Sequence, residues 1–202
     1  MTFSNKAIGR RACLTIATLA LLAGQAWAQG AASAPRVRFA TSAGDFVVEV
    51  YPDKAPKTVA NFLQYVRDKH YDGTVFHRVI DNFMVQGGGF DASYAQKPTR
   101  PPVVHEGREA LAKGGDKNVV GTLAMARTND PDSASSQFFI NVRDNDFLNP
   151  SAQSPGYTVF GKVVSGMDVV GKIKATPTGP GGPFPSDVPR TPILINSATL
   201  IK

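Results

Sequence analysis

Cysteine is nearly missing from this 202-residue chain: its one cysteine, Cys13, lies inside an apolar run near the start. One thiol closes no internal disulfide and builds no multi-thiolate metal site. Histidine is scarce as well. His70, His77 and His105 are scattered, with no pair at ligand spacing, so no metal site and no cofactor are expected. Around Gly87-Gly88-Gly89 neither G-x-x-x-x-G-K-[ST] nor G-x-G-x-x-G occurs, which excludes the common phosphate cradles. A backbone that turns sharply there is reason enough for glycine. Long apolar runs are lacking too. Ala12 to Gly24, ACLTIATLALLAG, is shorter than the roughly 20 residues of a membrane span, and no later stretch qualifies, so no stable membrane association is expected.

That short run has a different reading. Lys6, Arg10 and Arg11 precede it, and Ala26-Trp27-Ala28 follows with small residues at both cleavage positions. This is the three-part pattern of a secretory signal over residues 1–28, with cleavage after Ala28. Arg10-Arg11 hints at twin-arginine export, but Gly9 and Cys13 fit that signal poorly, and ordinary secretion is favoured. The expected location is the periplasm, or the medium if the source has no outer membrane. Losing the signal leaves 19 basic against 16 acidic residues, a net of +3. With no basic cluster in that part, nucleic acid is not an expected partner.

Residues 29–35, QGAASAP, read as a flexible leader, and 36–202 as one domain. Arg36 to Thr41 and Asp45 to Tyr51 form a hairpin around Ser42-Ala43-Gly44. A helix opens at Pro56, with Val59, Phe62, Leu63 and Val66 on one buried face. Further strands are expected at Val75–Val79, Phe83–Gln86, Leu123–Ala126, Phe138–Asn141, Tyr157–Val163 and Ile193–Ile201. Between Gly87 and Gly121 the composition is that of a long loop. Ser165-Gly166-Met167-Asp168 is a capping-box pattern for a second helix, with Met167, Val170 and Ile173 inward. Six prolines from Pro177 to Pro192 suggest an extended crossing. Eight strands and two helices favour a closed β-barrel. Phe62, Phe76, Phe138 and Phe160 are assigned to the core.

One stretch poses a chemical puzzle. FHRVIDNFMVQGGGF, Phe76 to Phe90, sets Arg78 and Gln86 among apolar residues, yet no nucleophile stands beside His77. On pattern alone it could be two strands around an Asp81-Asn82 turn. VVGTLAMART (Val119 to Thr128), SSQFFINVRDNDFL (Ser135 to Leu148) and GYTVFGKVVSGMDVV (Gly156 to Val170) follow it. Together these closely resemble the cyclophilins, the cyclosporin-binding family of peptidyl-prolyl cis–trans isomerases, and most of all the bacterial exported type. The resemblance runs from about Val37 to Ile201.

It implies a mainly β fold, an eight-stranded antiparallel β-barrel capped by two α-helices, acting as a monomer. It also implies a shallow apolar groove for proline on the outer wall, made of Phe83, Met84, Phe139 and Leu148. Gln86, Ala126, Arg127 and Gln137 would hold the peptide backbone, and Arg78 would be catalytic. The implied partners are proline-containing polypeptides, in particular unfolded exported proteins. Phe147 and Tyr157 stand where the best-known eukaryotic members carry tryptophan and histidine. The missing indole N–H implies weak cyclosporin binding. Arg127 stands in place of an asparagine.

The chemistry suits a site without a nucleophile, because rotation about an X–Pro bond requires no covalent attack. Two other readings remain open: a peptide-binding module with incidental catalysis, and a hydrolase using His77. The second lacks a partner nucleophile. His77 should point away from Arg78 and serve as a hydrogen-bonded structural residue, and Asp130 to Ser135 reads as a surface turn without chemistry of its own.

Overall fold

The computed structural model describes residues 1–2 and 34–201. Nearly all of the expected secretory segment and most of the leader lie outside the described residues. The domain starts with β1 (Arg36–Thr41) and β2 (Gly44–Val50), followed by helix α1 (Pro56–Arg67). Both strands alternate buried and open residues, and Phe39 and Phe46 stack inside with ring centroids 5.0 Å apart. Pro56 supplies the fixed φ of a first helical position, and Val59, Phe62, Leu63 and Val66 are buried as their spacing predicts. Then come β3 (Thr74–Val75), β4 (Arg78–Ile80), β5 (Met84–Gly87), α2 (Gly107–Ala112), β6 (Thr122–Met125), β7 (Phe138–Asn141) and β8 (Val159–Ser165). The last elements are α3 (Met167–Lys174), β9 (Thr178–Gly181), β10 (Phe184–Pro189) and β11 (Leu194–Ile201).

The main sheet is antiparallel in the order β3-β11-β1-β2-β8-β6-β7-β5-β4. Its two outermost segments, β3 and β4, are separated only by Phe76 and His77. One extended stretch therefore serves both ends of a curled wall. Its first half pairs with β11 and its second half with β5, which is why the single strand expected at Val75–Val79 is broken in two. Counted as one, these halves bring the wall to the expected eight strands. Inside it, Phe39, Phe46, Phe62, Phe76, Phe138 and Phe160 are each at most 1% exposed. Each such burial contributes about 1.5–3 kcal/mol.

Three expectations need correction. There are three α-helices among the described residues, not two, because α2 lies within the stretch read as loop; six residues are too few to show a helical period. The proline-rich crossing folds into its own two-stranded sheet, β9 against β10. Its prolines lack N–H donors and are tolerated in so small a ladder, where few bonds are needed. The capping box is not formed. Ser165 ends β8, and Gly166 (φ 82) is the N-cap of α3, with no side-chain bond. A Cβ at Gly166 would lie 2.5 Å from the Asp45 carbonyl oxygen, so the approach of α3 to β2 requires glycine there. On α3, Val169, Val170 and Ile173 are buried, whereas Met167 is only half-buried.

Candidate functional site

The pleat of the wall makes two separate apolar clusters. Val85, Leu123, Phe138, Ile140 and Phe160 point into the main core. Their neighbours Met84, Ala124, Phe139 and Val159 point outward and form a second cluster with Leu148. Ile80, Phe83, Ala126 and Tyr157 pack around it. Successive strand residues face opposite sides, so one set of sequence runs supplies both a core and an outer apolar floor.

Register arranges that outer face in a row. Arg78 pairs with Gln86, Gln86 with Phe139, Phe139 with Ala124, and Ala124 with Val159. The row crosses β4, β5, β7, β6 and β8, and places a cation beside an apolar floor. The β4–β5 turn is the expected Asp81-Asn82, with Asn82 left-handed at φ 59, a conformation asparagine tolerates. Arg78 is exposed, and its Nη1 donates to Gln86 Oε1 at 3.4 Å. Gln86 Nε2 in turn donates to Gln137 Oε1 at 3.0 Å. The guanidinium is thus held at the rim by a chain of two amides.

The resulting groove has a volume of about 160 Å³ and is lined by Arg78, Phe83, Met84, Gln86, Ala126, Arg127, Phe139, Leu148 and Tyr157. Drug-sized ligands occupy about 300–1,000 Å³; this groove seats one compact side chain. Two of the expected residues are outside its lining. Gln137 supports Gln86 from the next cavity, and Phe147, 71% exposed, stacks on Phe83 with centroids 5.7 Å apart. Arg127 differs from expectation in what its side chain does. Nε and Nη2 donate to the Gly156 carbonyl at 3.1 and 2.8 Å, and the guanidinium lies 4.5 Å from the Tyr157 ring centre. Tyr157 meets Phe139 edge-on at 5.6 Å.

Behind the groove lies a group of asparagines that sequence reasoning missed. Asn118, Asn141 and Asn145 are fully buried. Asn145 Nδ2 donates to the Phe83 carbonyl at 3.0 Å and to Asn141 Oδ1 at 2.7 Å. Asn141 Nδ2 donates to Asn118 Oδ1 and Thr122 Oγ1, and Asn118 Nδ2 donates to the Leu148 carbonyl at 3.2 Å. Two groove residues thus have their backbones pinned by buried amides. Asparagines in loop-like sequence read as turn formers, so only three-dimensional proximity reveals the network.

His77 does turn away from Arg78. It is 3% exposed, its ring 4.6 Å from that of Phe90 and 5.4 Å from that of Phe184. Nδ1 has no hydrogen-bond partner, while the Val75 backbone and the Gln137 side chain lie against the ring and favour its protonated form. Burial pushes its pKa down to about 4, and among the described residues no serine or threonine hydroxyl bonds Nδ1. Among the described residues, no three His, Cys, Asp or Glu side chains gather as a metal site, and no helix is long and apolar enough to cross a membrane. The Asp130–Ser135 segment forms the expected surface turn, and its Ser133 and Ser135 line a second cavity of about 280 Å³ beside the groove.

Comparison with known proteins follows the same lines. A family model described as cyclophilin type peptidyl-prolyl cis-trans isomerase/CLD matches residues 36–200. The chain is 53% identical over 167 residues to peptidyl-prolyl cis-trans isomerase B of Escherichia coli (strain K12), covering 81% of this chain and 98% of that one. It is 46% identical over 195 residues to peptidyl-prolyl cis-trans isomerase A of Dickeya dadantii (strain 3937), covering 96% and 100%. A crystal structure of a cyclophilin type isomerase of Cryptosporidium parvum in the presence of the dipeptide Ala-Pro is similar, with TM-score 0.66 at 25% identity over 83% of this chain and 99% of that one. The cyclophilin AquaCyp293 from Hirschia baltica gives TM-score 0.64 at 27% identity, over 81% and 73%.

Proposed function

The chain belongs to the cyclophilin-type peptidyl-prolyl cis-trans isomerases, and from that membership we propose that it assists the folding of exported proteins, with Arg78 as its catalytic residue. The isomerase activity itself follows from relatives about half identical over most of the chain. The substrate is a polypeptide containing proline, in keeping with the Ala-Pro dipeptide present with a structural relative. The export role rests on the N-terminal pattern, with residues 1–28 as signal, 29–35 as leader and 36–202 as the working domain. The site of action is then the periplasm, or the medium where there is no outer membrane.

The observation that carries the mechanism is the row that sets Arg78 at the rim of an apolar floor. The X–Pro bond resists rotation because nitrogen shares its lone pair with the carbonyl, a barrier of about 18–20 kcal/mol. Uncatalysed exchange therefore takes tens to hundreds of seconds. Proline enters the groove over Met84, Phe139 and Leu148, which bury its ring and exclude water. As the bond twists, the imide nitrogen becomes pyramidal and its lone pair localises. A guanidinium N–H of Arg78 donates to that lone pair more strongly in the twisted state than in the planar one, which is the condition for acceleration. No bond is broken and no proton is transferred. Lowering the barrier by about 7 kcal/mol would speed exchange about 10⁵-fold.

Gln86 and Gln137 orient the arginine, and Ala126, Arg127, Phe147 and Tyr157 border the peptide's path. Since Phe147 has no indole N–H, cyclosporin binds weakly. The test is magnetisation-exchange NMR on an X–Pro peptide with the native protein and with Arg78→Ala, alongside peptide affinity. The mechanism requires loss of most acceleration with binding retained. A native protein that binds without accelerating exchange would instead be a recognition module, and Arg78 would have no catalytic role.

A further inference from the structure

We propose that Arg127 makes this enzyme selective for an acidic side chain within two residues of the substrate proline. The inference rests on the reading of the groove as the proline site. Arg127 lines both the groove and the adjoining cavity of about 280 Å³, and the two share Gln86 and Ala126 as well. The rest of the second cavity is polar and uncharged: Gln96, Thr128, Ser133, Ser135 and Gln137. Side chains of an extended peptide two positions apart lie on one face about 7 Å from each other. A peptide with proline in the first cavity therefore delivers a neighbouring side chain to the second.

The arginine is fixed and its charge is not cancelled. Nε and Nη2 bond the Gly156 carbonyl, Nη1 bonds the Thr128 carbonyl at 2.8 Å, and Tyr157 lies under the plane. These partners are neutral. Among the described residues neither Arg127 nor Arg78 forms a salt bridge. The acidic residues of the neighbouring turn are engaged elsewhere. Asp130 Oδ1 accepts from the Asp132 N–H at 2.9 Å, and Asp132 Oδ1 accepts from the His105 N–H at 2.8 Å. Neither lines the cavity. A half-buried, immobilised cation above a cavity of hydroxyl and amide groups is complementary to a carboxylate. Because the side chain is already ordered, little entropy is lost on forming the contact.

The test compares catalysed exchange of peptides carrying Glu or Gln at each of the two positions on either side of proline. For a partly exposed ion pair, a Glu/Gln ratio of kcat/KM of about three- to fivefold is expected at one position or more. That ratio should fall to about one in Arg127→Gln, persist in part in Arg127→Lys, and shrink when salt brings the Debye length below about 5 Å. The salt dependence on the native protein serves as the reading if Arg127→Gln does not fold. A native ratio near one at all four positions overturns the proposal, as does a ratio that survives Arg127→Gln. Absence of exchange with every peptide would instead overturn the isomerase reading of the groove, and this inference with it.

Discussion

Acid should destabilise this protein through His77. The ring is 3% exposed between Phe90 and Phe184, and Nδ1 lacks a partner. Burial lowers its pKa from the ordinary 6.5 to about 4. As pH falls, the unfolded chain takes up a proton near 6.5, whereas the folded chain resists until about 4. Between these values the unfolded state binds more protons, so stability falls with falling pH. The slope approaches about 1.4 kcal/mol per pH unit, and integration from pH 7.5 to pH 5 costs about 2 kcal/mol. Burial lowers the pKa of His70 and His105 as well, so the native curve is steeper than His77 alone would make it. The isolating measurement is urea unfolding from pH 7.5 to pH 5 for the native protein and for His77→Gln. The variant should lose about 2 kcal/mol less than the native protein across that range. Parallel curves would refute the argument, because they would mean that His77 is already protonated, or solvated, in the fold.

Other consequences can be checked alongside. The carboxylate of Glu106 accepts from the Lys57 and Thr58 N–H groups at 3.1 and 2.8 Å and from Thr58 Oγ1 at 2.7 Å. Helix α1 has no acidic residue in its own first turn and no side-chain cap at Ala55. Glu106→Gln should therefore cost about 1–2 kcal/mol in chemical denaturation, from the weakened charge-assisted bonds and the lost helix-end interaction. Asn145→Ala removes the donors to Phe83 and Asn141; leaving buried acceptors unpaired should cost about 1–3 kcal/mol. Peptide KM should rise at the same time as Phe83 loses its tether, which peptide titration would detect. Phe147 is 71% exposed, so Phe147→Trp should leave the melting temperature within a few degrees. It would restore an indole N–H, and calorimetry should show cyclosporin binding up to about tenfold tighter, the worth of one neutral hydrogen bond.

Much of this molecule was readable in advance because its signals are local. The periodicity of Val59, Phe62, Leu63 and Val66 defines α1, and the alternation in VRFAT and DFVVEV defines β1 and β2. Helix α2 was too short for any period to show. The β9–β10 pair was hidden by prolines that elsewhere signal its absence. At Ser165 a capping pattern was real as a string, but the chain spends that residue in β8 and begins α3 from a left-handed glycine.

The site divides in the same way. The run from Phe76 to Phe90 by itself determined which side chains are available: one arginine, two amides, apolar rings, and no nucleophile next to the histidine. That chemistry is a property of composition over fifteen residues and needs no partner. Tertiary structure alone decided that Gln86 meets Phe139 and Phe139 meets Ala124, since register is set by pairing between strands distant in the chain. It also decided that Arg127 clamps Gly156 and that Asn145 holds the Phe83 carbonyl. A polar side chain bonds whatever donor or acceptor lies within about 3 Å of it. Those partners, 29 and 62 residues away along the chain, are chosen only when the wall curls and the loops close over its outer face.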